Sequence, residues 1–84
     1  MRLPLIKHTV EFIETHDEDW VNETIELLEH VSEAKGIKDE ELEVIGELIS
    51  NLFGALEVRA DMKSGKPQKE ALNDFMKRVT GAIS

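Results

Sequence analysis

The chain has 84 residues, 18 acidic and 10 basic side chains, a net charge of −8 and no cysteine. One domain spanning residues 1–84 fits that length, and a core this small buries only about 60–65% of the unfolded surface. Disulfides and thiolate chemistry are excluded, so stability must come from well-packed helices or from self-association.

Four segments carry helical periodicity, and no run alternates apolar and polar residues over strand length. The first runs from about Pro4 to Thr15. Pro4 suits a first helical position, where the missing N–H costs nothing, and Ile6, Val10 and Ile13 follow at helical spacing. The second begins near Asp17 or Asp19, either of which can cap exposed N–H groups. Val21, Thr24, Ile25, Leu28 and Val31 give its stripe, flanked by Trp20 and Leu27, with Gly36 as the expected stop. Trp20 is expected to be at least partly buried.

The third segment is the longest. Asp39 is the expected cap, with Glu40 and Glu41 in the first turn. Leu42, Ile45, Ile49, Leu52 and Leu56 repeat at helical spacing, and Val44, Leu48 and Phe53 widen the apolar face to about half the circumference, against the ordinary face of about 100°. The fourth segment follows Lys63-Ser64-Gly65-Lys66, opens at Pro67, and carries Ala71, Leu72, Phe75, Met76, Val79 and Ile83. The predicted fold is therefore all-α: a small bundle of about four helices around a long central third helix.

Gly46, Ser50 and Gly54 recur every four residues in that helix. A helix-interior glycine costs about 1 kcal/mol relative to alanine, so two of them call for a reason, and close approach of another backbone supplies one. The wide face and the small residues predict a homodimer whose interface comprises Gly46, Leu48, Ile49, Ser50, Asn51, Leu52, Phe53, Gly54 and Leu56. Asn51 is expected to fix its register by an interhelical hydrogen bond.

Charge is unevenly spread. Residues 1–57 sum to −11 and residues 58–84 to +3, and nine acids but no Lys or Arg lie between His8 and Ala34. The acidic face of residues 11–47 disfavours nucleic acid and anionic lipid, and offers itself to a basic protein partner or to the basic C-terminal segment of a second copy. The longest uncharged run, Leu48 to Leu56, is far short of a membrane span. No signal-peptide core is present, and a cytoplasmic protein is expected.

Known chemistries find no match. His30 follows Glu26 by four residues, but a zinc site needs three or four ligands. From Asp17 the sixth and twelfth positions of a calcium loop are Asn22 and Leu28, not Gly and Glu. None of Ser32, Ser50, Ser64 and Ser84 lies in a nucleophile elbow, and Gly65-Lys66 lacks the rest of a phosphate loop. No catalytic, cofactor or metal residue is assigned, and a non-enzymatic interaction module is the expected function. The alternatives are an acyl-carrier-like protein, short and acidic too but here without the Asp-Ser-Leu of its prosthetic serine, and a small metal-binding protein.

The stretch Val44-Ile45-Gly46-Glu47-Leu48-Ile49-Ser50-Asn51-Leu52, with Phe75, Val79 and Ile83 downstream, resembles the YejL-like family of short bacterial proteins over about half the chain. The first 35 residues depart from that pattern. The whole chain, through phrases such as Glu40-Glu41-Leu42-Glu43-Val44-Ile45 and Lys69-Glu70-Ala71-Leu72-Asn73-Asp74-Phe75, resembles more closely an uncharacterised family of short bacterial proteins, a domain of unknown function. That resemblance implies a compact helical homodimer without assigned activity. It also implies genes lying near those of thioredoxin and peroxiredoxin, hence an accessory to thiol redox proteins that lacks cysteine of its own.

Overall fold

A computed structural model describes residues 2–83, with side chains through Thr80. Four α-helices follow one another: α1 (Leu3–Thr15), α2 (Glu18–Val31), α3 (Asp39–Lys63) and α4 (Gln68–Ile83). No strand occurs among the described residues. The all-α architecture with a long third helix is as the periodicity predicts. The side chain of Ile83, last in the expected stripe of α4, lies outside the described residues.

Local chemistry sets the ends. Pro4 stands in the first turn of α1. The Asp17 carboxylate caps α2, accepting from the Asp19 N–H at 3.2 Å. α2 stops five residues before the expected Gly36. The Ser32 hydroxyl donates to the Glu29 carbonyl at 2.6 Å, competing with the helical ladder, and the chain unwinds through turns closed by Glu33 N–H to His30 O and Ala34 N–H to Val31 O. Gly36 serves that later unwinding at φ +84°. Asp39 is likewise not the cap of α3 but its first residue. The capping contact comes from Glu41, whose carboxylate reaches back to the Lys38 N–H at 3.0 Å. Pro67 precedes α4, its carbonyl accepting the Ala71 N–H at 2.9 Å.

α3 touches each of the other three helices and is the spine of the fold. Its buried residues, Asn51, Gly54, Ala55 and Val58, lie on one side of its C-terminal half. They meet Ile6, Val10 and Ile13 of α1 and Ala71, Leu72 and Phe75 of α4 in one core, which Val21 and Ile25 of α2 complete. The tightest approach is at Gly54, where a Cβ would stand 2.9 Å from Phe75 Cζ and 3.2 Å from Ile6 Cδ1.

Trp20 is 58% exposed, against the expected burial. The reason is angular: Val21 and Ile25 turn toward α3, and Trp20, one residue before Val21, is rotated by about 100° to the outside. Its ring instead meets Phe12 and His16 edge-on, with centroids 6.3 and 6.1 Å away.

The molecule measures 44 × 34 × 17 Å. Seventeen ångströms of Cα extent is two helix layers, since packed helix axes stand about 8–10 Å apart. The radius of gyration, 13.8 Å, exceeds the roughly 12 Å of a compact domain of this length. The chain is a thin slab, and broad helix faces lie outside its core.

Candidate interaction surface

The nine expected interface residues fall on different sides of α3, at about 100° of rotation per residue. Asn51 and Gly54 point into the chain's own core, which corrects their assignment to a dimer contact. Gly54 provides the close crossing with Phe75 and Ile6. The Asn51 Oδ1 accepts from the Arg2 N–H at 2.9 Å, and its Nδ2 donates to the Glu47 carbonyl at 2.7 Å. Asn51 thus fixes the register of α1 on α3 within one chain. Asn51→Ala removes the partner of a helix-end N–H. It should lower stability by about 1–3 kcal/mol, with amide exchange rising first in α1; equal protection of α1 in both proteins would refute that role.

Leu52 and Leu56 are half-buried against the core, as is Ile49. Leu48 is exposed, and with Val44 it prolongs the buried Asn51–Ala55–Val58 row beyond the cover of α1 and α4. Ser50 and Gly46 are exposed, and nothing lies within 4 Å of where a Cβ on Gly46 would stand. Phe53 is 49% exposed on the side opposite the core row.

That opposite side has its own order. Leu42, Gly46, Ile49, Phe53, Leu56 and Ala60 follow at spacings of four and three residues over about 27 Å of helix, with no charged residue in the row. The spacing is the seam periodicity of paired helices. In the sequence this row is merged with the rows that face α1, α2 and α4, so α3 presents one undivided broad apolar face.

The charges sort as unevenly in space as along the chain. Lys63 pairs with Glu18, Lys66 with Asp74 at 2.7 Å, and Arg78 with Asp61 at 3.4 Å and Glu57 at 3.9 Å. The hydrogen bond raises the Lys66 pKa above 10.5 and lowers that of Asp74 below 3.8. Asp74's contribution therefore holds above its ordinary pKa and fades as acid protonates it, whereas that of Lys66 fades only in strong base. Three of the six basic side chains of residues 58–84 are thus engaged inside the chain. By contrast Asp19, Glu23, Glu26, Glu29 and Glu33 on and after α2 make no ion pair among the described residues.

The surface depressions are open and shallow. The one joining α1, α2 and α3, lined by His16, Asp17, Glu18, Arg59 and Lys63 among others, is bordered by the Lys63–Glu18 ion pair. Among the described residues no three His, Asp or Glu side chains converge as metal ligands, and no helix is long and apolar enough to cross a membrane.

No curated protein and no solved structure matches the chain. The YejL-like resemblance stays one of residue pattern, which the family comparison does not show. The residue phrases, the short all-helical fold and a family match over residues 1–84 agree, and the chain belongs to DUF6952, a family of unknown function.

Proposed function

We propose that the protein is a non-enzymatic interaction module: a homodimer joined through α3 that displays acidic helical faces to a protein partner. The observation that carries this reading is the charge-free row Leu42–Gly46–Ile49–Phe53–Leu56–Ala60, in which Leu42, Gly46, Phe53 and Ala60 are exposed and Ile49 and Leu56 are half-buried at the core's edge. An antiparallel pairing about a twofold axis level with Asn51 sets Gly46 against the partner's Leu56, Ile49 against the partner's Phe53, and Leu42 against the partner's Ala60. Small meets large toward the ends of the row and Ile49 packs on Phe53 at its middle, and each copy presents the same patch to the other. A second slab on this side also gives the thin molecule the core volume it lacks. The proposed compartment is the cytoplasm, where a two-copy adaptor needs neither disulfides nor a membrane anchor; fractionation of the host cell tests this.

The test is Phe53→Glu. A carboxylate buried without a partner costs about 3–5 kcal/mol, a weakening of dimerisation on the order of 10²–10³-fold. Phe53 lies outside the core, so the variant should run as a folded monomer by light scattering with unchanged helical circular dichroism. A wild-type protein that is monomeric at micromolar concentration, or a Phe53→Glu variant that stays dimeric, overturns the interface.

A further inference from the structure

α2 carries two apolar rows. Val21, Ile25 and Leu28 face the core or its edge. Trp20, Thr24, Leu27 and Val31, again at four-three-four spacing, lie on an outer face, with Leu27 61% and Val31 40% exposed. The Thr24 hydroxyl is tied back to the Trp20 carbonyl at 2.7 Å, so it demands no polar partner. At one end the row continues onto α1, where Phe12 and His16 stack with centroids 4.0 Å apart beside Trp20.

We infer that this outer face of α2 docks a basic amphipathic helix of another protein, whose apolar ridge seats on Trp20, Leu27 and Val31. The row spans about 16 Å, three turns of a partner helix. Large apolar residues in such a row are what helix-in-groove recognition uses, and a tryptophan at one end is a common energetic anchor. The charges decide which helix fits. At about 100° per residue Glu23 and Asp19 border the row on one side while Glu26 and Glu29 lie farther round α2; all four are unpaired among the described residues, and no Lys or Arg occurs between His8 and Ala34. Lys or Arg along that side of the occupant's ridge would meet Glu23 and Asp19. A second copy's α2 would oppose acids with acids, and in a second copy's basic segment Lys63, Lys66 and Arg78 are held in ion pairs of their own, leaving on α4 the exposed Lys69 and Lys77, eight residues apart and too sparse to line a helical ridge. The occupant is therefore a different, basic chain.

The inference deepens the interaction-module reading by naming its partner's chemistry. It uses a different face from the dimer row: Trp20 lies beside α1, whereas Phe53 lies on the side of α3 turned away from the α1-facing row.

Trp20 is the sole tryptophan and reports directly on this face. The probe is a synthetic helix of about 21 residues with leucine on one stripe and lysine elsewhere, three heptads being enough to cover the row. A glutamate-for-lysine counterpart is the control. Trp20 should emit as a water-exposed indole in the free protein and shift to shorter wavelength as the lysine helix saturates it; the glutamate helix should cause no shift. Leu27→Glu should weaken binding by about tenfold or more, because a carboxylate then faces the apolar ridge. Light scattering of the protein alone tests the dimer separately. The inference is overturned by any of three results: no saturable shift with the lysine helix, equal affinity for the glutamate helix, or Leu27→Glu binding as tightly as wild type.

Discussion

Phe75→Ala should bring the chain close to unfolding at ambient temperature. Phe75 is 2% exposed, and its ring lies over the Gly54 backbone in the core shared by α1, α3 and α4. Truncating a buried phenylalanine costs about 3–5 kcal/mol, the lost transfer energy plus the cavity left behind. A domain of 84 residues is stable by only about 4–13 kcal/mol in total. Two helix layers offer little around the ring that could collapse into the hole. The expected drop in melting temperature is about 12–40 °C, read by circular dichroism at 222 nm. A drop of only a few degrees would mean that α4 is not an integral part of the core. The matching change at Phe53, outside the core, should leave the melting of a monomeric form nearly unaltered.

Much of this fold was legible in the residues, and the reason is periodicity. Ile6, Val10 and Ile13, or Ala71, Leu72 and Phe75, repeat at the helical period, and the structure buries those side chains. The unusual breadth of the α3 face was equally legible. What periodicity could not supply was the division of that breadth among neighbours. It shows which residues share a side of a helix, not which helix lies against that side. Hence Asn51, expected at a contact between copies, bonds to the Arg2 N–H of its own chain. Trp20 and Val21 are adjacent apolar residues, yet one is exposed and the other buried, because the position of α3 chooses between two rows of α2. Helix ends followed the same logic. Gly36 announces a left-handed residue, which it is, but the helix yields earlier to the Ser32 hydroxyl, a weaker signal in the sequence.

Gly46 and Gly54 make the clearest case, because the sequence presents them as equivalents, and leucine at each should give opposite outcomes. At Gly54 even a Cβ would stand 2.9 Å from Phe75 and 3.2 Å from Ile6, both core residues without room to retreat. Overpacking of this kind costs about 1–3 kcal/mol for a few extra methylenes, and a leucine brings four carbons to a crossing that admits none. Gly54→Leu should therefore lose cooperative melting or fail to fold. At Gly46 the surroundings are empty, and replacing a helix-interior glycine by a good helix former gains about 0.5–1 kcal/mol. The isolated chain should tolerate Gly46→Leu and melt slightly higher. If the charge-free row of α3 joins two copies, however, the same leucine collides with the partner's Leu56, and the folded variant should be monomeric. Light scattering beside thermal melting separates the two glycines: one guards the packing within a chain, the other the approach of a second chain. Unfolding of Gly46→Leu would contradict the placement of that residue on an open face. A Gly46→Leu variant that is folded and still dimeric would move the interface off this row, leaving the uncovered apolar residues of α3 to another occupant.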